Sequence, residues 1–520
     1  MRKLVNYIKN NQVSTILFLL IFGFIFFMSI RTQTDFDYWF HYAAGEYFVK
    51  TGKVPQIPIG SWWALEEGLE WISHEWAFGV VIYWLTHLIG EKGLVIFSSL
   101  MIALVGALAF GFKIEEWRKR PLLAVVGIIL MALVLQAYAV PRPQLFLYLF
   151  TVGLFALLLH ERDYKDNWIW MLCPLTILWT NFHGGSYILI FVFFVVLILS
   201  ECFDLTLGKI EFKKAPWAVT QKRLRVLIIS FALVALNGHG LNMYYYPISN
   251  WTDTVMIENI SEWKSADIKN SFDLTAMVLP CLFLCALIGT KKKIKGFDMV
   301  CGWAMIYLSL QSIRFFAQAD LLMIMLIPYY FDSLDIIEVP INQDRLKYAL
   351  LLCLMFVGIG SVPLALDAMD EPFNMDVFPS DNLIEEIKEL QPERLFNTYN
   401  TGGYLVYKGV DVFIDGRADI YSRYNMSDYV RMEAFALATD ELMAKYNFDY
   451  LLIQKDTRLQ QWMDAQNAVI ERYELLYEEG TYRLYKNLNY VEGSGMIEVE
   501  ELENNSATET TNEIASDTTN

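Results

Sequence analysis

Long apolar segments recur along residues 15–366, and this repetition constrains the fold more than any other feature. Each has about 18 or more residues, enough to cross a hydrocarbon core roughly 30 Å thick as an α-helix. Hydrophobic residues make up 55% of the chain and the mean hydropathy is +0.32, values that exclude an ordinary soluble domain. The sequence therefore predicts a mainly α, polytopic helical membrane bundle.

The apolar segments divide into about eleven candidate spans. Residues 75–89 are also apolar but too short to span, so we interpret them as an interfacial helix on the outer surface. The candidate spans cover residues 13–30, 93–112, 121–139, 143–160, 167–182, 184–202, 224–238, 272–289, 297–311, 316–331 and 347–366.

Lys and Arg residues predict the orientation. They concentrate in alternate connecting segments, beginning with the N-terminus, and the positive-inside rule places those segments in the cytoplasm. An odd number of spans then places everything after residue 366 outside a plasma membrane. The predicted organisation is a cytoplasmic N-terminus (1–12), a transmembrane domain (13–366) with a large first outer loop (31–92), an extracytoplasmic α/β domain (367–488) and an acidic disordered tail (489–520).

Residues 367–488 have the alternating pattern of a small α/β domain. Strands are predicted at 394–397, 403–407, 412–414, 450–453, 473–477 and 481–485, the last two as a hairpin. Helices are predicted at 381–390, 427–439, 439–446 and 459–467. Asp415, Gly416 and Arg417 follow a predicted strand, a common place for ligand sites, although an internal Arg–Asp ion pair explains the same pattern.

Composition also bears on partners. The net charge is −17, and no Lys- or Arg-rich patch has the character of a nucleic-acid surface. Membrane lipids are the partners that the apolar spans require. The six cysteines lie within or beside apolar segments, which does not predict a disulfide framework.

Polar residues gather at the predicted outer ends of the spans, whereas the span centres hold almost no ionisable residue. An ion-coupled transporter usually needs charged or broken-helix sites near the membrane midplane, so this distribution disfavours one. It favours an enzyme whose lipid-linked substrate keeps its tail in the membrane and its headgroup outside. The outer-end residues include Asp35, Asp37, His41, His74, Glu75, Arg142, Gln144, His183, His239, Glu262, Asp267, Arg314, Gln318 and Asp320.

Two carboxylates, Asp35 and Asp37, follow the first span directly. They suit a general base beside an electrostatic partner, a divalent-metal site, or simply the N-terminus of the next helix. His41 lies four residues after Asp37 and shares a face with it if the segment is helical. A hydrogen-bonded pair is favoured there over metal ligation.

The two outer arginines have alternative interpretations as well. Arg142 lies between two prolines and either snorkels toward lipid phosphate or binds a substrate phosphate, and Arg314 has the same alternatives. The glycines of the run from Asn181 to Gly185 permit a tight turn, which also suits a nest of backbone amides for an anion. The tryptophans beside His74 and Glu75 fit an interfacial aromatic belt.

Several motifs carry a resemblance to known proteins. The runs D-F-D-Y-W-F-H-Y-A-A-G, W-I-S-H-E-W, P-R-P-Q-L-F, N-F-H-G-G and V-F-I-D-G-R-A-D resemble a large group of bacterial membrane proteins over most of residues 15–487. The acidic pair after the first span, the helix at 38–50 and the order of spans, outer loop and outer domain resemble the GT-C superfamily, including protein O-mannosyltransferases and the aminoarabinose transferase of lipid A.

The resemblance implies a membrane glycosyltransferase that moves a sugar from a polyprenyl-phosphate donor to an extracytoplasmic acceptor, which is a cell-envelope glycan, lipid or protein. The alternative is a non-catalytic membrane protein or a transporter of lipid-linked glycans. By the resemblance, Asp35 or Asp37 is the base, and the spacing of this pair differs from the adjacent Asp-Glu of the mannosyltransferase branch. Arg142 and Arg314 would bind the donor phosphate.

The remaining candidate residues are expected to support the substrates. No cofactor is implied with certainty, and a divalent metal ion stays an open alternative. The supporting residues are His41, His74, Glu75, Gln144, His183, His239, Asp415 and Arg417, and the candidate metal ligands are Asp35, Asp37, His41 and His74.

Overall fold

The structure, a computed structural model, describes residues 12–331, 352, 355–356, 358–434 and 438–493. Most of the predicted N-terminal segment (1–12), much of the last predicted span (347–366), residues 435–437 of a predicted helix and most of the predicted tail (489–520) lie outside the described residues. The chain divides into two compact units, one of residues 1–35 and 72–373 and the other of residues 36–71 and 374–520.

The first unit is a helical bundle. Within the described residues, five helices are long and apolar enough to cross a membrane, at Trp76–Gly111, Pro121–Tyr138, Gln144–Tyr164, Ser271–Gly289 and Ile313–Phe331, and two apolar helices are shorter, at Ser14–Ser29 and Ile188–Ser200. The chain is a multi-pass membrane protein, with fewer long spans in its described part than the eleven predicted. Several predicted spans are divided or shortened; for example, 167–182 consists of a 3-10 turn, Asn167–Met171, and a helix, Leu172–Phe182.

The full set of α-helices in the first unit follows chain order. They are Gln12–Ser29, Trp76–Gly111, Ile114–Arg118, Pro121–Leu135, Gln144–Tyr164, Leu172–Phe182, Ile188–Ser200, Trp217–Leu233, Asn242–Trp251, Thr254–Asn259, Ser271–Ala276, Val278–Gly289, Gly296–Gln311, Phe316–Phe331 and Val362–Asp370. Trp76–Gly111 has a non-helical residue at Gly90, with φ of 65°. Glycine takes this conformation without the steric cost of a Cβ, so the helix changes direction there. The interfacial location of residues 75–89 stays a prediction.

Helix Phe316–Phe331 lies at the centre of the bundle. All of its residues except Tyr329 are buried, as expected of a helix that other helices surround. Helix Gln12–Ser29 packs closely on Trp76–Gly111 because Gly106 has no side chain: a Cβ there would lie 2.6 Å from Ile25 Cδ1. A small sheet of β1 (Leu205–Leu207), β2 (Ile210–Phe212) and β3 (Ile294–Lys295) joins two connecting segments, with β1 antiparallel and β3 parallel to β2.

The second unit combines helices with a four-stranded sheet. The strands are β4 (Leu395–Asn397), β5 (Tyr450–Gln454), β6 (Tyr473–Glu479) and β7 (Tyr482–Asn487), in the order β4-β5-β7-β6. The pair β4–β5 is parallel and the other pairs are antiparallel. The helices are Tyr38–Thr51, Trp62–Glu66, Asp381–Leu390, Tyr399–Tyr407, Ala418–Tyr421, Met426–Glu433, Thr439–Tyr446 and Arg458–Asn467. The first part of the outer loop thus folds with the C-terminal segment.

Two strand predictions in this unit are wrong. Residues 403–407 belong to helix Tyr399–Tyr407, in which Gly402 and Gly403 allow close packing instead of forming a turn. A Cβ on Gly403 would lie 2.8 Å from the carbonyl oxygen of Phe36, and one on Gly402 would lie under 3.0 Å from that of Ile414. Residues 412–414 form no ladder strand; Val412 makes only an isolated parallel bridge with Ser61.

Candidate functional site

In the first unit, a guanidinium group is held between two carboxylates. Arg142, between two prolines at the start of helix Gln144–Tyr164, donates from Nε to Asp35 Oδ2 and from Nη1 to Glu262 Oε1 at 2.9 Å. The two acids differ in exposure: the Asp35 side chain is 1% exposed and that of Glu262 is 40% exposed. A buried carboxylate is stable when a cation pairs with it, so Asp35 and Arg142 depend on each other.

The segment that carries Asp35 is fixed by its backbone and by Gln33. The Gln33 side chain donates to the carbonyl oxygen of Ala139 at 2.9 Å, and its backbone amide donates to that of Pro372 at 2.9 Å. Arg31 Nη2 donates to the carbonyl oxygen of Ala137 at 2.8 Å. The residues that follow the first span are therefore fixed against those that precede Arg142.

One short turn contacts both candidate phosphate-binding arginines. The 3-10 turn Ser261–Trp263 carries Glu262, which pairs with Arg142, and Trp263, whose ring centroid lies 5.1 Å from the Arg314 guanidinium carbon. Ser312 Oγ donates to the Glu262 carbonyl oxygen at 2.9 Å. The charges of Arg142, Arg314 and Glu262 also act together on the buried hydroxyl of Tyr148. The two arginines therefore belong to one site.

A second polar cluster of the first unit joins three predicted outer loops. Trp76 Nε1 donates to Asn181 Oδ1 at 3.0 Å, Asn181 Nδ2 donates to the Leu236 carbonyl oxygen at 3.0 Å, and the Gly184 amide donates to the His74 carbonyl oxygen at 3.1 Å. A Cβ on Gly184 would lie 3.0 Å from His74 Cβ, so this glycine is needed for a close approach.

Histidines and one glutamate converge in this second cluster. Glu75 Oε1 lies 3.3 Å from His74 Nε2 and 3.6 Å from His183 Nε2. His74 Nε2 is also 3.5 Å from the Tyr246 hydroxyl, and His239 Nε2 is 3.4 Å from Ser73 Oγ. The structure thus brings together four of the predicted outer residues: His74, Glu75, His183 and His239.

Burial keeps two of these histidines neutral. It lowers the pKa of His183 to about 3, although the nearby Glu75 opposes that change. It lowers the pKa of His239 to about 4. His183 Nδ1 is 2.8 Å from Ser186 Oγ, which accepts a hydrogen bond from Trp179 Nε1 at 3.0 Å. At neutral pH these two imidazoles can position neighbours by hydrogen bonding but do not carry charge.

In the second unit, Asp37 precedes helix Tyr38–Thr51 and lies against Gly416. A Cβ on Gly416 would lie under 3.0 Å from Asp37 Oδ1 and 3.1 Å from Phe40 Cε1. His41 is buried on the first turn of the same helix, and its amide is 3.4 Å from the Asp37 carbonyl oxygen. The Asp37–His41 side-chain hydrogen bond stays a prediction.

Asp415 and Arg417, on either side of Gly416, form a buried ion pair. The Arg417 guanidinium donates to both carboxylate oxygens of Asp415 and to the Ile59 carbonyl oxygen at 2.8 Å, and it stacks 4.9 Å from the Trp71 ring centroid. Asp415 raises the pKa of Arg417 above its usual value against the opposing effect of burial. The Arg417 side chain is 2% exposed, so it fixes this loop to residues 59–71.

Other candidates are placed but not joined to these contacts. Gln144 begins helix Gln144–Tyr164, and its buried Oε1 has no hydrogen-bond partner among the described residues. Within that part of the chain, no group of three or more His, Cys, Asp or Glu side chains could hold a metal ion. The candidate metal ligands are divided between the units, with Asp35 and His74 in the first and Asp37 and His41 in the second.

Three contributing residues were not assigned a role from the sequence: Glu262, Trp263 and Gly416. Glu262 and Trp263 are visible only as a polar-aromatic pair at the predicted outer ends. Their pairing with Arg142 and Arg314 joins positions far apart in the chain. The signal for Gly416 was its place between Asp415 and Arg417.

Comparisons with known proteins agree on the fold. The sequence matches no protein-family model. No curated protein matches it either. The crystal structure of ArnT from Cupriavidus metallidurans in the apo state matches with a TM-score of 0.51 and 11% identity, covering 91% of this chain and 98% of that one. ArnT from the same organism bound to undecaprenyl phosphate has a TM-score of 0.49 and 12% identity, over 92% of this chain and 99% of that one. The expected GT-C resemblance is confirmed as a shared fold.

Proposed function

We propose that this protein is an integral membrane glycosyltransferase that moves a sugar from a polyprenyl-phosphate donor to an extracytoplasmic acceptor. The observation that carries the proposal is the site in which the turn Ser261–Trp263 contacts both Arg142 and Arg314. Two guanidinium groups at one place suit a phosphate monoester or diester, because their planar donors match its oxygens. The ArnT-like fold supports the same class of protein.

The proposed reaction is a displacement at the anomeric carbon. The acceptor hydroxyl oxygen forms a bond to that carbon, the bond from the carbon to the phosphate oxygen breaks, and the electron pair leaves on the polyprenyl phosphate. Negative charge therefore grows on the phosphate as the transition state is reached. Positioned guanidinium groups stabilise that charge more than the ground state, which accelerates the step.

The two acids receive different roles. Asp35 is almost fully buried and accepts from Arg142 Nε, so we assign it as the residue that positions Arg142. Asp37 is half-buried and lies outside that pair, so we assign it as the base that takes the acceptor proton. The sequence left this choice open, and the different surroundings of the two carboxylates decide it.

The other predicted residues act through their neighbours. His74, Glu75, His183 and His239 fix the loops of the second polar cluster, and Asp415 with Arg417 fixes the loop that contacts Asp37. Gln144 and His41 are assigned to support the donor and acid sites. No step requires a metal ion in this assignment.

The test is turnover by the full chain in lipid nanodiscs, with a labelled polyprenyl-phosphate sugar and a cell-envelope extract as acceptor. Asp37→Asn should abolish release of polyprenyl phosphate while leaving donor affinity unchanged, because only the proton acceptor is lost. Arg142→Ala should weaken donor binding. Full turnover by Asp37→Asn would remove the base assignment, and an unchanged glycan profile on deletion of the protein from cells would refute the enzyme itself.

A further inference from the structure

Arg142 has two carboxylate partners of very different character. Asp35, 1% exposed, holds Nε from the protein side, and Glu262, 40% exposed, accepts from Nη1 at 2.9 Å. A buried partner of a cation cannot leave without a large penalty, whereas a partly exposed one can. The two acids therefore differ in how easily a ligand can replace them.

Glu262 uses the donor that an incoming anion needs. Carboxylate and phosphate oxygens accept from guanidinium N–H groups in the same geometry, so they compete for Arg142. Glu262 lies on a single turn, Ser261–Trp263, and the next residue, Trp263, contacts Arg314. A movement of this turn would thus change the surroundings of both arginines.

We propose that Glu262 is an internal substitute for the donor phosphate, which pairs with Arg142 in the free protein and is displaced when the lipid phosphate binds. The inference rests on the proposed role of Arg142 in phosphate binding. Glu262 keeps the guanidinium oriented when no donor is present, and it lowers the net affinity for the donor by the free energy of its own pair. It thereby favours release of the polyprenyl phosphate product.

The test is equilibrium binding to the full chain in neutral-lipid nanodiscs. The ligands are undecaprenyl phosphate and undecaprenol, which share the tail and differ in the phosphate. Glu262→Gln and Glu262→Ala should lower the Kd for undecaprenyl phosphate by about two- to fivefold, the range expected when a partly exposed ion pair no longer competes. The Kd for undecaprenol should not change.

The matched control is Glu258→Gln, which removes an equal charge from an exposed position of the preceding helix, Thr254–Asn259. It should leave both Kd values unchanged, and an equal gain in this control would reduce the effect to general electrostatics and overturn the inference. Unchanged or weaker phosphate binding by both Glu262 variants would also overturn it.

Arg142→Ala separates this inference from the proposed function. If that variant binds undecaprenyl phosphate as tightly as the wild type, the phosphate site itself is wrong. If it binds more weakly while neither Glu262 variant binds more tightly, only the displacement of Glu262 is wrong.

Discussion

Gly416→Ala tests whether the loop beside Asp37 positions the proposed base. The added Cβ would lie under 3.0 Å from Asp37 Oδ1 and 3.1 Å from Phe40 Cε1, whereas ordinary contact begins at 3.4 Å. The loop cannot retreat easily, because Asp415 and Arg417 are fixed by their buried ion pair and by the Ile59 carbonyl oxygen. The Asp37 carboxylate must therefore move.

The required movement gives the expected magnitude. Relief of the overlap moves the carboxylate by about 1 Å, and a misplacement of that size in a reacting group costs roughly 100-fold in rate. We expect kcat to fall by about that factor while the Kd for the lipid donor stays within about twofold, since Arg142 and Arg314 are untouched. The assay is release of polyprenyl phosphate by the full chain, with donor binding measured on the same preparation.

Gly153→Ala is the matched control, because a Cβ at Gly153 would meet nothing within 4 Å. Thermal unfolding of both variants shows whether either is destabilised. If Gly416→Ala turns over at the rate of Gly153→Ala, the loop does not position Asp37. If its donor affinity falls in parallel with kcat, the effect of the substitution is not confined to the base, and the reasoning is refuted as well.

Three further predictions follow from individual contacts. Trp263→Leu removes the ring beside Arg314, a contact worth about 0.5–1 kcal/mol, and should raise the donor Kd about two- to fivefold in a binding titration; an unchanged Kd would contradict it. Arg417→Met leaves the Asp415 carboxylate buried without its cation and should lower the free energy of unfolding by about 3–5 kcal/mol, seen as a fall in Tm that the exposed control Arg458→Met lacks. The pKa of His183 is lowered to about 3, so between pH 6.5 and 3 the unfolded chain binds a proton that the folded chain does not, and stability falls with pH. His183→Asn should flatten the fall of Tm across that window, and a profile parallel to the wild type would show that His183 does not cause it.

The site residues were predictable where a polar side chain interrupts an apolar pattern. Asp35 and Arg142 stand out at the ends of long apolar segments, so their positions point to function without any structure. Their mutual pairing was not predictable, because it joins residues 107 positions apart. The same holds for Glu262, whose partner lies 120 positions away and whose own neighbourhood in the sequence is unremarkable.

Glycine patterns misled the prediction of local structure in the second unit. Gly402 and Gly403 were interpreted as a turn between strands, because glycine is typical of turns. The structure uses both for close packing of helix Tyr399–Tyr407 against backbone carbonyl oxygens. A sequence alone does not separate these two uses, since only the neighbours in space distinguish them.

The span prediction illustrates a limit of a different kind. Apolar composition correctly predicted a helical membrane bundle, but the length of each helix depends on where it is interrupted, as at the change from the 3-10 turn Asn167–Met171 to helix Leu172–Phe182. The division of the first outer loop between two compact units depends on tertiary packing of residues 36–71 with the C-terminal segment. Neither feature has a local signature.

The most direct test of the account is an experimental structure of the full chain with undecaprenyl phosphate bound. We expect the phosphate oxygens to lie within hydrogen-bond distance of both Arg142 and Arg314, with Asp35 still on Arg142 Nε and Glu262 moved off Nη1. A phosphate bound elsewhere, with the Arg142–Glu262 pair intact, would contradict the central claim.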